Sequence, residues 1–174
     1  MSRFYLIRHG EPDWELARAR DLAGPLSDFV PLTDAGVEQS MAAARDPRLA
    51  EVELVLSSPY ARALQTAAIL CRELRKPLRV EYDLREREPS TQRVFYSVEQ
   101  IRELCLEYDR FGGTYPAGQP KPWEERDSVR RRVMAVLERY RSKRSVAVVC
   151  HEKVIEGLLP GVQAPYGSVR PFDL

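Results

Sequence analysis

The 174-residue chain lacks the features that mark several large classes of protein. Its 27 basic and 26 acidic side chains leave a formal net charge of +1, so no overall field favours nucleic acid or an acidic membrane as a partner. No apolar run approaches the roughly 20 residues that a membrane-spanning helix needs. An apolar strand pattern begins near residue 3 and leaves no room for a signal peptide. We therefore expect a cytoplasmic protein without nucleic-acid or membrane partners.

Cysteine and histidine are also scarce. The three cysteines, Cys71, Cys105 and Cys150, are widely spaced and odd in number, which is typical of reduced thiols in a cytoplasm. The chain has two histidines, His9 and His151. Because the cysteines are not clustered, too few of the ligands that zinc prefers are present. We expect neither a metal nor any other cofactor.

The apolar pattern predicts strands that alternate with helices. Short continuous apolar runs, typical of strands covered on both faces, occur at residues 4–7, 54–57, 78–82 and 145–150. Thr33 is suited to cap a helix, Ser58-Pro59 is a strong helix start, and residues 124–142 form the longest helical pattern. This alternation predicts an α/β fold, a three-layer sandwich with a mainly parallel central sheet flanked by helices, in one domain over residues 1–174.

Two segments interrupt the alternation. Residues 12–31 are long for a connection, and residues 89–122 contain glycines and prolines around one helical piece at about 98–108. Loops of this length in a small domain are usually functional or disordered. Since both segments begin or end near residues of chemical interest, we expect them to form lids over a site.

Each histidine directly follows a predicted strand. Arg8 and His9 follow the first strand, His151 follows the last, and Arg62 lies in the first turn of the helix after the second. Ligands bind beyond the carboxyl ends of parallel strands, where helix N-termini also point. Two arginines and two histidines at that edge would form an anion pocket, and the planar guanidinium group matches the geometry of phosphate.

Five short segments then occur in a specific order. They are RHGE at 8–11, LTDAGVEQ at 32–39, SSPYARALQTA at 57–67, LRE at 84–86 and VVCH at 148–151. In these segments the chain resembles the histidine phosphatase superfamily, in the branch that also holds the cofactor-dependent phosphoglycerate mutases. The resemblance covers about residues 3–88 and 123–160. RHGE alone would be a weak signal, whereas five ordered segments are a highly specific one.

The resemblance implies a role for each residue of the anion pocket. His9 would attack phosphorus in line and form a phosphohistidine that water then hydrolyses. Arg8, Arg62 and His151 would bind the phosphoryl oxygens and stabilise the charge that develops during transfer. Gly10 would allow the backbone to approach closely and would orient the imidazole.

The resemblance also implies an acid that protonates the leaving alcohol. Glu86 matches the acid of the LRE segment, although by residue type alone it would be a surface member of a charged run. Glu152 competes with it, because a more distant branch of the same superfamily places its acid directly after the second histidine. Glu152 also stands where close relatives usually have glycine. We favour Glu86 and include Glu152 among the candidate substrate-binding residues.

The chain departs from the family pattern after RHGE. Residues 12–15 replace the serine or threonine and the phosphate-contacting asparagine that close relatives often carry, and the substrate-binding insertion of the mutases is absent. We therefore expect a phosphatase that acts on a small phosphorylated metabolite. The alternatives are a catalytically weak module that binds phosphorylated ligands or phosphoproteins, and a phosphoglycerate mutase-type phosphotransferase. A dinucleotide-binding enzyme is disfavoured because no glycine-rich fingerprint follows the first strand. The sequence assigns neither the physiological substrate nor the oligomeric state.

Overall fold

A five-stranded sheet lies at the centre of the computed structural model, which describes residues 2–91, 98–120 and 122–174. Its strands are β1 (Arg3–Arg8), β2 (Leu54–Ser57), β3 (Leu78–Val80), β4 (Ser145–Cys150) and β5 (Val169–Asp173). Their order across the sheet is β3-β2-β4-β1-β5. The first four strands pair in parallel, and β5 pairs antiparallel to β1. The predicted mainly parallel sheet is confirmed.

Helices cover both faces of the sheet. Because side chains alternate along a strand, Tyr5 and Ile7 of β1 face one layer, whereas Phe4 and Leu6 face the other. The first layer contains α2 (Asp34–Ala44) and α3 (Ala61–Leu74), and the second contains α5 (Arg126–Arg139) and α6 (Glu152–Leu158). The α/β sandwich predicted from the apolar pattern is therefore confirmed, with one apolar core on each side of the sheet.

The two interrupting segments carry helices of their own. Residues 12–31 contain the short helix α1 (Trp14–Ala19) and a 3-10 helix, Gly24–Phe29, and a backbone bridge between Pro12 and Leu32 joins their ends. Residues 89–122 contain α4 (Val98–Arg110), where a helix was predicted. Residues 92–97 and 121 of that predicted lid lie outside the described residues.

The structure corrects the strand prediction in two places. Residues 78–82 were predicted as a buried strand, but β3 is three residues long, forms an edge of the sheet and has exposed side chains. β5 was not predicted. Its sequence Val-Arg-Pro-Phe-Asp has no continuous apolar run, and an edge strand needs none because one side of it is open to water.

One of the two helix starts is also corrected. Thr33 caps α2 as predicted, since its hydroxyl accepts a hydrogen bond from the Gly36 amide at 2.9 Å. Helix α3 instead begins at Ala61, and its N-cap residue Tyr60 makes no side-chain capping bond. Ser58 therefore does not cap the helix, and its hydroxyl contacts His151.

Other helices of the described chain are the 3-10 turns Pro47–Leu49 and Tyr82–Leu84. Across residues 2–91, 98–120 and 122–174, no helix has both the length and the apolar character to cross a membrane.

Candidate active site

The sheet brings the two histidines together. β1 and β4 are parallel neighbours with Arg8 opposite Cys150, so His9 and His151 follow at the same edge of the sheet. Their ring centroids are 5.0 Å apart and the ring planes meet at 65°. Both side chains are buried, His9 at 5% exposure and His151 at 0%. The convergence expected from strand order is present.

The hydrogen bonds of His9 define which nitrogen carries the proton. The Nε group of Arg62 lies 3.3 Å from Nε2 of His9. Since a guanidinium only donates, Nε2 is the acceptor and the ring proton is on Nδ1. Nδ1 then donates to the carbonyl oxygen of Gly10 at 2.7 Å. This tautomer leaves the lone pair of Nε2 directed towards Arg62.

The surroundings of His9 keep its imidazole neutral. Burial, followed by the charge of Arg62, lowers its pKa from 6.5 to about 3, and the bond to the Gly10 carbonyl opposes the shift. A histidine with a depressed pKa is deprotonated throughout the neutral range. Nε2 of His9 therefore carries no proton, without the help of a separate base.

Gly10 makes the turn after β1 possible. A Cβ atom at Gly10 would lie 2.1 Å from the carbonyl oxygen of Gly36, and one at Gly36 would lie 2.3 Å from the carbonyl oxygen of Glu11. No side chain can occupy these spaces without moving backbone. The Gly10 amide also donates to Oγ1 of Thr66 at 3.1 Å. The backbone approach expected at Gly10 is thus made to helix α2, and it fixes the carbonyl that orients His9.

Ser58 and Tyr60 hold the side chain of His151. Its Nε2 lies 2.7 Å from the hydroxyl of Ser58, and the Tyr60 ring packs edge-on with centroids 5.1 Å apart. Within the described chain, Nδ1 of His151 is buried and has no hydrogen-bond partner. If the Ser58 hydroxyl donates to Nε2, the imidazole proton lies on Nδ1, which is then a donor available to an anion.

Arg62 lies beside the histidines in the first turn of α3. Its side chain is buried and sits between His9 and residues of the segment 12–31. Nη1 donates to the carbonyl oxygen of Ser27 at 3.1 Å, and the guanidinium carbon lies 4.9 Å from the Tyr60 ring centroid and 5.8 Å from that of Trp14. The Ser27 carbonyl and the rings of Tyr60 and Trp14 therefore hold the guanidinium next to His9.

Arg8 is held by a different set of neighbours from those of Arg62. Its Nη1 donates to the Ala164 carbonyl at 2.8 Å, and Nη2 pairs with Glu152 at 2.7 Å. The guanidinium carbon lies 4.1 Å from the Tyr166 ring centroid, and that ring is 5.7 Å from the ring of His9. Among the described residues, Nε of Arg8 is a second buried nitrogen without a partner.

Glu86 is a partly buried carboxyl group beside α6. It accepts hydrogen bonds from its neighbouring amide, that of Arg87, at 2.8 Å and from the Lys153 amide at 3.4 Å. Burial raises the pKa of Glu86, while these two amides and the charge of Arg62 oppose the rise. A carboxyl group whose pKa is raised in this way is suited to hold a proton until it is needed.

A buried ion pair holds the turn that carries Glu86. Arg132 of α5 donates to the backbone carbonyls of Asp83 at 2.6 Å, Arg85 at 2.9 Å and Glu86 at 3.2 Å. The same guanidinium forms two bonds, of 2.8 and 2.9 Å, to the carboxylate of Glu124. Glu124 in turn accepts from the Glu88 amide at 3.1 Å. The turn is therefore fixed to α5 on both sides of Glu86.

Glu152 lies in a different environment. It is the first residue of α6, its side chain is 48% exposed, and its carboxylate forms the ion pair with Arg8. The structure thus places Glu86 in a partly buried position and Glu152 at the surface, where it pairs with Arg8.

Comparison with known families fits this arrangement. A model described as the histidine phosphatase superfamily, branch 1, matches residues 4–172. The chain belongs to the histidine phosphatase superfamily.

A curated relative is named the probable phosphoglycerate mutase GpmB of Proteus mirabilis (strain HI4320). It is 37% identical over 86 residues, which are 49% of this chain and 38% of the relative. The match therefore spans well under half of that protein's own length.

Solved structures show the same fold at low sequence identity. YhfR of Bacillus stearothermophilus has a TM-score of 0.74 and is 23% identical, covering 100% of this chain and 92% of that one. A mycobacterial glucosyl-3-phosphoglycerate phosphatase in complex with VO3 has a TM-score of 0.69 and is 22% identical, covering 98% and 90%. A putative alpha-ribazole-5'-P phosphatase from Escherichia coli has a TM-score of 0.67 and is 23% identical, covering 98% and 89%.

Four further residues around the candidate site were not identified from the sequence. Ser58 and Tyr60 both precede Arg62 in the segment 57–67. Their place in that segment was a signal, but Ser58 was interpreted as a helix cap. Asp28 and Tyr166 lie in segments with no motif and reach the site only through the tertiary fold. Burial raises the pKa of Asp28 to about 6, against the opposing effect of the Arg62 charge.

The described residues contain no group of three or more His, Cys, Asp or Glu side chains arranged to hold a metal ion. The positive charge beside His9 comes from arginine instead, with Arg62 the nearer contact.

Proposed function

We propose that this chain is a metal-independent phosphatase that hydrolyses small phosphomonoesters through a phosphohistidine intermediate. The observation that carries the proposal is the neutral tautomer of His9, whose Nε2 lone pair faces the Arg62 guanidinium at 3.3 Å. A nucleophile and a phosphate-binding cation are thereby held side by side. In the part of the chain that the structure describes, three buried side-chain nitrogens lack a partner, and two of them, Nε of Arg8 and Nδ1 of His151, belong to the candidate site. They support the same interpretation, because buried polar atoms normally have a partner.

The first half of the reaction transfers the phosphoryl group to His9. Nε2 attacks phosphorus in line, the bond from phosphorus to the ester oxygen breaks, and Glu86 gives its proton to the leaving alcohol. Arg8, Arg62 and His151 bind the phosphoryl oxygens, whose charge they neutralise in the transition state. The bond from Nδ1 of His9 to the Gly10 carbonyl stabilises the positive charge that the imidazole acquires.

The second half returns His9 to its neutral form. The Glu86 carboxylate accepts a proton from water as that water attacks phosphorus, the bond from phosphorus to Nε2 breaks, and inorganic phosphate leaves. The raised pKa of Glu86 suits both steps, since the group must be an acid first and a base afterwards. We further propose that residues 1–174 act as one domain, with residues 12–31 and 89–122 as its lids, in the cytoplasm.

A mutase is the second candidate, favoured by the name of the curated relative. A mutase would return the phosphoryl group from His9 to a second hydroxyl of the substrate, whereas a phosphatase gives it to water. The two differ in products: with 3-phosphoglycerate a mutase yields 2-phosphoglycerate, and a phosphatase yields glycerate and inorganic phosphate. Product analysis by NMR separates them.

The decisive experiment traps the intermediate. Wild-type protein is mixed with a ³²P-labelled aryl phosphate in the presence of a chelator and quenched within milliseconds. We expect acid-labile label on the protein, and none on His9→Ala, whose turnover should fall by more than a thousandfold. The circular dichroism and unfolding midpoint of the variant establish that it is folded. A variant with a tenth of the wild-type rate, or turnover that requires a divalent ion, would contradict the proposal.

A further inference from the structure

Two aromatic rings lie against the arginines that we assign to phosphoryl binding. The Tyr166 ring centroid is 4.1 Å from the guanidinium carbon of Arg8, and the Trp14 ring centroid is 5.8 Å from that of Arg62. The centroids of the Tyr166 and His9 rings are 5.7 Å apart. A phosphoryl group bound by these arginines therefore lies next to both aromatic rings, and so does the alcohol that is esterified to it.

The backbone holds Tyr166 in this position. The next residue, Gly167, donates its amide hydrogen to the carbonyl oxygen of Arg8 at 3.0 Å. Gly167 has a φ of +71°, and a Cβ atom there would lie 2.9 Å from the carbonyl oxygen of Gln39. Glycine is suited to this φ and to so close an approach of two backbones. The loop is thus fixed against the end of β1, and the Tyr166 ring is in place before a substrate binds.

The start of α1 holds Trp14. The carboxylate of Asp13 caps this helix and accepts a hydrogen bond from the Leu16 amide at 2.8 Å. The Asp13 amide donates to the Pro31 carbonyl at 2.8 Å, which joins the two ends of segment 12–31. Trp14 is nevertheless 42% exposed. Covering its indole with another aromatic ring is favourable, because apolar area is removed from water and a contact between two rings is gained.

We propose that Trp14 and Tyr166 select phosphomonoesters whose leaving alcohol carries an aromatic ring. This inference rests on the proposed phosphatase function and adds a substrate class to it. Ligand sites are typically lined by aromatic and apolar side chains around a few charged groups that fix the orientation of the ligand, and here Arg8 and Arg62 are those charged groups. Because the backbone around both rings is already fixed, little conformational freedom is lost when a substrate binds.

The test compares three phosphate esters of primary alcohols, namely 2-phenylethyl, 2-cyclohexylethyl and ethyl phosphate. Their alcohols all need a proton on departure, so ratios of kcat/KM between them report contacts with the organic group. In the wild type, kcat/KM for 2-phenylethyl phosphate should exceed that for ethyl phosphate by on the order of tenfold and that for 2-cyclohexylethyl phosphate by about threefold.

The variants change one ring at a time. Trp14→Leu and Tyr166→Leu should each lower the ratio of 2-phenylethyl to ethyl phosphate by roughly threefold to tenfold, since the contact between two aromatic rings is lost. Trp14→Phe and Tyr166→Phe keep a ring at each position and should retain most of the ratio. Tyr140→Leu is the matched control, because Tyr140 is also a partly buried tyrosine but lies between α5 and β4, at the amino ends of the strands. Its ratio should stay within about twofold of the wild type.

The possible failures are distinguishable. Unchanged ratios in Trp14→Leu and Tyr166→Leu, with ethyl phosphate still hydrolysed, would overturn the aromatic selection and leave the phosphatase proposal standing. Equal losses on all three esters would show that the rings only position the arginines and would also overturn it. The same follows if 2-cyclohexylethyl phosphate is as good a substrate as 2-phenylethyl phosphate, because selection would then be for apolar bulk. A wild type inactive towards every ester would overturn both proposals.

Discussion

The inner and outer parts of the site are built differently. The inner part, with His9 and His151 at the ends of β1 and β4, is positioned by paired strands, and both side chains are buried. The outer part consists of loop and short-helix residues, among them the exposed Trp14 and the partly buried Ser27 and Tyr166. Groups fixed by a sheet keep a constant geometry, whereas loops on that scaffold can change with little effect on it. We therefore expect phosphoryl transfer to depend on the residues of the inner part, and the choice of substrate to depend on those of the outer part.

After the nucleophile His9, Arg62 is the residue of the inner part whose removal should reduce activity most. We expect Arg62→Ala to lower kcat by about a hundredfold to a thousandfold for every ester, because a preorganised donor to the phosphoryl oxygens is lost. Arg62→Lys should recover only part of the rate, since an ammonium group lacks the planar fork. Steady-state kinetics on aryl and alkyl phosphates measures both effects.

A loss of activity confined to some leaving groups would contradict this assignment, because the phosphoryl group is common to all substrates. Leu64→Ala on the same helix is a control for disturbance of α3, since Leu64 is only half-buried. Its kcat should remain within about threefold of the wild type.

The acid gives a prediction of intermediate size. Glu86→Gln should slow hydrolysis of alkyl phosphates by on the order of a hundredfold and that of an activated aryl phosphate by less than about tenfold, since a phenolate leaves without a proton. The raised pKa of Glu86 keeps the acid form present to higher pH. Activity on alkyl phosphates should therefore fall as pH rises through that pKa, and this basic limb should be lost in Glu86→Gln. An unchanged basic limb would assign it to another group.

Much of the inner part could be predicted from the sequence, for a physical reason. A buried parallel strand requires a continuous apolar run, so residues 4–7, 54–57 and 145–150 were recognisable, and the residues that follow such strands meet at one edge of the sheet. The resemblance to the family then assigned Arg62 and Glu86 to the same candidate site. The apolar pattern did not predict the two edges of the sheet. β5 and the exposed β3 form by pairing with a neighbouring strand, and their own sequences contain no continuous buried apolar run.

The outer part was less predictable because its contacts are long-range. The Ser27 carbonyl accepts from Arg62, 35 positions along the chain, and the Arg8 guanidinium stacks on Tyr166, 158 positions away. No spacing rule links such residues. Arg132, too, was one of several arginines in α5, and its role became visible only through its bonds to the turn around Glu86.

Arg132 links the inner part to α5 and gives a smaller predicted effect on activity. Arg132→Met leaves Glu124 buried without its cation, so the free energy of unfolding should fall by about 3–5 kcal/mol. The folded variant no longer has its turn around Glu86 fixed to α5. Its rate of alkyl phosphate hydrolysis should fall by roughly tenfold, and its rate of aryl phosphate hydrolysis should fall much less. This is the pattern expected for Glu86→Gln, at smaller size. Arg131→Met, at the exposed neighbouring position, should change neither. Equal losses on both classes of ester would show that Arg132 acts on stability alone.

The smallest effect is expected at Glu152, which is the sharpest test of the acid assignment. Its carboxylate is half-exposed and paired with Arg8, and exposed ion pairs contribute little. Glu152→Gln should therefore change kcat/KM by less than about threefold for alkyl and aryl phosphates alike and leave the basic limb of the pH profile in place. Glu86→Gln is the matched comparison, since the chemical change is identical. If Glu152→Gln showed the leaving-group-dependent loss and Glu86→Gln were nearly silent, the acid would lie after His151 and the carboxyl held by α5 would be structural.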